Sequence, residues 1–153
     1  MRVATYAIPG PKGAEAGECG VFHFGEGRGG GVDENIARWS SQFEGKPTPK
    51  KSVRTINGIR VHLVEISGTY LAPGGPMMQS QGRKSGYRLL GAIVKAPDGL
   101  VFFKCTGPEA TMGAARADFD RLIGSLAHSG TATVEVDPLS PRPAAQTTIK
   151  LAR

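Results

Sequence analysis

Residues 87–106 constrain the fold more than any other stretch of the chain. Two apolar runs, 87–95 and 100–106, flank the tetrapeptide Ala96-Pro97-Asp98-Gly99. Pro97 presets φ for the second position of a turn, Asp98 suits the third, and Gly99 accepts φ > 0 at little cost. Such a turn closes an antiparallel hairpin. Leu89, Ile93, Val101, Phe103 and Cys105 are strand formers, and Leu90, Ala92, Val94, Leu100 and Phe102 make the intervening positions apolar too. Strands apolar on both faces belong in the middle of a sheet, covered above and below. Thr106-Gly107-Pro108 ends the pair, with Pro108 suited to the first helical position. Across residues 108–127, Met112, Ala115, Phe119, Leu122, Ile123 and Leu126 recur at helical spacing, which predicts a helix lying across the hairpin.

The remaining elements follow in order. Residues 2–8 and 19–24 read as strands. The loop 25–31 is rich in glycine, and a helix is expected over 33–43 with Asp33 as its N-cap. Val32, Ile36, Trp39 and Phe43 line one face of it, and Gly45 marks its end. Residues 46–50, with Pro47 and Pro49, form an extended linker. Asn57-Gly58 is a strong hairpin signal between strands at 51–56 and 59–70. In the second of these the apolar phase slips between Val61/Leu63 and Val64/Ile66, which signals a bulge or burial of both faces. Residues 71–86 read as a long loop of the kind that carries function. Beyond 127 a short strand at 131–136 is followed by Pro138, Pro141 and Pro143, the marks of a flexible tail. The sequence thus predicts one α+β domain over 1–127, an antiparallel sheet of about six strands flanked by two helices, with 128–153 as a C-terminal tail.

A chain of 153 residues is long enough for one domain with a sizeable core. No apolar run approaches the ~20 residues of a membrane span. Met1-Arg2 leads straight into a strand, so an upstream segment is expected to be missing or the start misassigned; as written, the chain reads as soluble and leaderless. The net charge is +6, with one basic cluster at Lys46, Lys50, Lys51 and Arg54 and another at Arg83, Lys84 and Arg88. The first holds no base-stacking aromatic and the second only Tyr87, so nucleic-acid binding is not expected. Cys19 and Cys105 match no metal or disulfide framework. They read first as small buried apolar residues, and second as an inter-strand disulfide that needs an oxidising compartment.

Few residues suggest chemistry. Gly25-x-Gly27-x-x-Gly30 satisfies the dinucleotide fingerprint in letters, and its amides at a helix N-terminus could hold a small anion. Gly27, Arg28, Gly29 and Gly30 are therefore candidate binding residues, with Arg28 as counter-charge. The setting is wrong for a dinucleotide: the strands read as antiparallel, and Lys50 and Lys51 stand where a ribose-binding acid belongs. His23, His62 and His128 lack ligands at metal spacing. No Gly-x-Ser-x-Gly elbow occurs, and Glu65, Glu109, Asp118 and Asp120 show no acid/base pairing. Met77 and Met78, in the long loop, read first as methionines folded back over the sheet and second as candidates for docking a partner. No catalytic residue, cofactor or metal is expected, and oligomeric state stays open.

Several stretches together resemble a known group. Arg2-Val3-Ala4-Thr5-Tyr6, Asn35-Ile36-x-Arg38-Trp39-x-x-Gln42-Phe43, Ser67-Gly68-Thr69-Tyr70, Tyr87-Arg88-Leu89-Leu90-Gly91-Ala92-Ile93-Val94 and Phe102-Phe103-Lys104-x-Thr106-Gly107-Pro108 look like uncharacterised bacterial proteins, often exported or lipid-anchored. That group is similar in pattern to the PsbP-like fold, which an extrinsic photosystem II subunit shares with a Ran-binding nuclear import factor. The resemblance spans about residues 1–127. It implies an antiparallel sheet flanked by helices, an exported location, and an accessory or binding role without catalysis. The expected function is a non-enzymatic binding domain acting on a protein partner through residues 71–86 and 25–31. The alternative is a small-anion or nucleotide binder.

Overall fold

The hairpin at 87–106 forms the centre of a six-stranded antiparallel sheet in the computed structural model. The structure describes residues 2–25, 27, 29–72, 82–96, 99–128, 133–136 and 147–150. In chain order these form β1 (Arg2–Ile8), β2 (Gly17–His23), α1 (Val32–Ser41), β3 (Lys50–Ile56), β4 (Ile59–Ala72), β5 (Gly82–Ala96), β6 (Gly99–Pro108) and α2 (Glu109–Gly124). The sheet order is β1-β2-β6-β5-β4-β3, so β5 and β6 lie inside and β1 and β3 are its edges. Ala96 pairs with Gly99, Val94 with Val101 and Leu90 with Cys105; Pro97 and Asp98 lie outside the described residues. The class is α+β, as expected.

Burial of both faces follows from the alternation. Leu90, Ala92, Val94, Val101, Phe103 and Cys105 point toward α2 and join Met112, Phe119, Leu122, Ile123 and Leu126 in one core. Leu89, Ile93 and Phe102 point the other way and pack with Ile36, Trp39, Phe43, Val64 and Ile66 beneath α1. The result is a helix–sheet–helix sandwich with two cores. Each fully buried Leu, Ile or Phe contributes roughly 1.5–3 kcal/mol, so the strands with apolar residues at every position hold both layers. The phase slip in β4 is this two-sided burial: Val61 faces α2 while Val64 and Ile66 face α1. The register shift comes later, between Gly68 and Tyr70.

Local signals were realised with small displacements. Asn57 (φ 50°) and Gly58 (φ 78°) make the left-handed turn that joins β3 to β4. Gly31, not Asp33, is the N-cap of α1, and Asp33 and Glu34 occupy the first turn, where carboxylates complement the positive end of the helix dipole. Ser41 ends the helix, and Phe43 leaves it to bridge Tyr70.

Three expectations need correction. The loop expected at 71–86 is in good part hairpin: β4 continues to Ala72 and β5 begins at Gly82, with Tyr70 opposite Lys84 and Leu71 opposite Arg83. Backbone pairing carries these arms past the core, so no apolar run announces them. Cys19 and Cys105 are not merely buried. They face each other in the β2–β6 register with Cα atoms 3.9 Å apart and form a disulfide. Ala127 is not the end of the helix but lies in β7 (Ala127–His128), which pairs with β8 (Thr133–Val136). β8 also pairs with β9 (Thr147–Lys150), completing a second, three-stranded sheet within the stretch expected to be a tail.

Candidate functional site

The glycine loop before α1 is held from within. Gly27, Gly29 and Gly30 all have positive φ, 71°, 81° and 81°. The Asn35 amide donates to the carbonyls of Gly29 and Gly31, each at 2.8 Å. A Cβ at Gly30 would lie 3.3 Å from a Glu34 carboxylate oxygen, so an acidic side chain already stands beside the loop. Asp33 adds a second carboxylate to that turn. Arg28, Met77 and Met78 lie outside the described residues.

A cluster that the sequence did not announce ties down the base of the β4–β5 arms. The rings of Tyr70 and Tyr87 stack with centroids 5.8 Å apart. The Tyr87 hydroxyl donates to the Glu15 carboxylate, and Lys84 donates to the same oxygen at 3.1 Å. The Tyr87 bond, then Lys84, holds the Glu15 carboxyl below its ordinary range. Burial, then Glu15, pushes the Tyr87 phenol up, and the bond to Glu15 pushes the Lys84 ammonium up. Each group is thereby locked in its neutral-pH state. The cluster fastens the arm. Its only sequence signal was two tyrosines placed symmetrically about the 71–86 stretch.

An accessible, organised surface is the β3 edge. Among the described residues β3 pairs with β4 alone, and every residue of it except Ile56 is exposed. Ile56 and Ile59 close a two-residue hairpin, so they form a hydrogen-bonded pair and the ladder alternates from there. Arg54, Ser52 and Lys50 therefore turn their backbone groups toward β4. The amides and carbonyls of Lys51, Val53 and Thr55 point away from the sheet.

A shallow hollow lies on each side of this edge. One, about 230 Å³, lies between β3 and α2, against Ser52, Leu63 and Phe119. The other, about 190 Å³, lies between β3 and the start of α1, against Val32, Ile36, Val53 and His62. Both are below the ~300–1,000 Å³ of small-molecule sites; they suit single side chains.

Charge at the edge is one-sided. Near the α2 hollow, Glu65 pairs with Arg116 at 2.7 Å and Arg88 at 3.6 Å, and Arg116 also reaches Asp120 at 3.7 Å. Those carboxylates are satisfied locally. Lys50, Lys51 and Arg54 make no ion pair among the described residues. On the α1 side, burial and then the nearby Arg60 and Lys95 depress the His62 pKa, with Asp33 opposing. The sequence grouped Lys50, Lys51 and Arg54 as a basic cluster but could not show that they share an open edge. Among the described residues, no three His, Cys, Asp or Glu side chains gather as a metal site, and no helix is long and apolar enough to cross a membrane.

No protein-family model matches this chain, and no curated protein matches it. Among solved structures it is similar to PA94, a Pseudomonas aeruginosa protein of unknown function suggested to be a regulator. The two share 12% identity with a TM-score of 0.56, over 84% of this chain and 83% of that one. At that identity the likeness shows the fold alone.

Proposed function

We propose that this chain is a non-enzymatic binding domain that acts on a protein partner, as the accessory domains of the PsbP-like fold do. The observation that carries this reading is the β3 edge: an exposed, cationic strand whose outward backbone groups are unused by the sheet. Its flanking hollows are too small for a cofactor but fit side chains. The buried Cys19–Cys105 bond supports an exported location, because disulfides persist in oxidising compartments.

The test uses the full chain, immobilised and exposed to extract from the cells that encode it. Retention of one protein in stoichiometric amount, resistant to moderate salt, is expected. A thermal-shift panel of nucleotides, phosphate and divalent metals runs beside it and should be flat. A shift of several degrees with one anion, with no protein retained, would overturn the reading in favour of a small-anion binder, since a ligand at ~100 times its Kd adds about 2.7 kcal/mol.

A further inference from the structure

We infer that the β3 edge receives an extended segment of the partner as a seventh strand, and that the segment alternates acidic with small apolar residues. This rests on the protein-binding reading above and names the surface and the partner chemistry.

The backbone supplies the first half of the argument. Lys51, Val53 and Thr55 offer three outward amides and carbonyls in register. A row of this kind, unpaired among the described residues, is a template for another strand, and strand addition is a recurrent way of holding extended peptides.

Side chains supply the other half. On the α2 side the edge presents Lys50, Ser52 and Arg54; on the α1 side it presents Lys51, Val53 and Thr55, with Val53 53% exposed. Successive side chains of an added strand alternate between these two sides. Those on the α2 side would meet Lys50 and Arg54 directly across the new ladder, where opposite charges attract and like charges repel. Those on the α1 side would meet Val53 and the wall of the hollow formed by Val32 and Ile36. Acid on one face and small apolar on the other is the pattern that fits.

The same charges select against a second copy of this chain. Pairing two β3 edges would crowd two sets of Lys50, Lys51 and Arg54 together, and edge lysines are a common device against self-pairing. The acids nearest the α2 side, Glu65 and Asp120, are engaged by Arg116 and do not neutralise the strand.

The probe is a capped peptide of about ten residues alternating Glu with Val or Thr, titrated into the isotope-labelled full chain. Amide shifts and slowed hydrogen exchange are expected at Lys51, Val53 and Thr55. Val53→Pro removes the central outward donor, and that amide is not used to pair with β4. It should weaken the peptide at least tenfold while the other β3 and β4 resonances keep their positions. Should Val53→Pro unfold β3, Lys50→Glu combined with Arg54→Glu carries the test and should give the same loss.

Unchanged affinity in a folded variant, or shifts confined to other elements, overturns the proposal. Equal binding of the peptide with Lys in place of Glu overturns the acidic chemistry. A wild-type dimer that Val53→Pro makes monomeric overturns it in favour of a second copy. In the extract experiment, a partner retained equally by wild type and Val53→Pro refutes the edge but keeps the binding-domain reading. No partner retained by either refutes that reading itself.

Discussion

The indole of Trp39 on α1 occupies the space above Gly91 on β5: a Cβ built at Gly91 would lie 2.6 Å from its Cζ3 atom and 2.7 Å from a Val64 methyl. The absent side chain at Gly91 is thus part of how α1 packs onto the sheet. Gly91→Ala should destabilise the protein by about 1–3 kcal/mol through overpacking. Trp39→Phe, made in the Gly91→Ala background, should restore part of it. Chemical denaturation of the four proteins of that cycle measures the coupling, and strict additivity would refute the contact.

The Cys19–Cys105 bond joins positions separated by 86 residues. Closing a loop of that size constrains the unfolded chain by about 4.6 kcal/mol in the chain-entropy view. Cys19→Ala with Cys105→Ala should lower Tm on the order of 10 °C. Denatured, unreduced wild type should show no reactive thiol, and two after reduction. Two thiols before reduction would contradict the bond.

Asn57 works twice at the β3–β4 turn. It adopts φ 50°, and its side-chain amide donates to the Leu126 carbonyl at 2.8 Å, linking the edge hairpin to the chain just past α2. Asn57→Gly keeps the backbone conformation and loses the bond, for a cost of about 1 kcal/mol. Asn57→Ala adds the left-handed strain, roughly 1–2 kcal/mol more. The order Asn > Gly > Ala in denaturation midpoint is expected, and Ala equal to Gly would show that the turn relaxes.

Glu15 gives a pH dependence whose sign is fixed. Its folded carboxyl titrates below the ordinary 4.5 because Tyr87 and then Lys84 stabilise the anion. A depressed acid contributes stability that is present above the unfolded value and lost as pH falls through the folded one. The contribution should therefore be intact at neutral pH and fade below about pH 4.5. Tyr87→Phe removes the largest cause and should raise the Glu15 midpoint in an NMR titration. An unmoved midpoint would remove Tyr87 from the account.

Much of this architecture was legible in the chain. The apolar-on-both-faces pattern of residues 87–106 placed β5 and β6 inside the sheet. The helical spacing of Met112, Phe119, Leu122 and Leu126 located α2, and Asn57-Gly58 located a hairpin. These signals are local, arising from steric and hydrophobic preferences that act over a few residues.

The site was less legible, because its parts are not local. Lys50, Lys51 and Arg54 read as a basic run in a linker and its following strand; only the sheet order made them an edge. The polar arms of the β4–β5 hairpin read as loop, since backbone hydrogen bonds hold strands together without an apolar pattern. The pairing of Cys19 with Cys105 required the β2–β6 register.

The amino-acid sequence by itself determined the class of fold and which faces are buried, since periodicity and turn chemistry are written in neighbouring residues. The tertiary structure alone decided which strands are left at the edges, which cysteines meet, and which charges find partners. Those depend on contacts between residues tens of positions apart, and such contacts exist only once the sheet has its order and register.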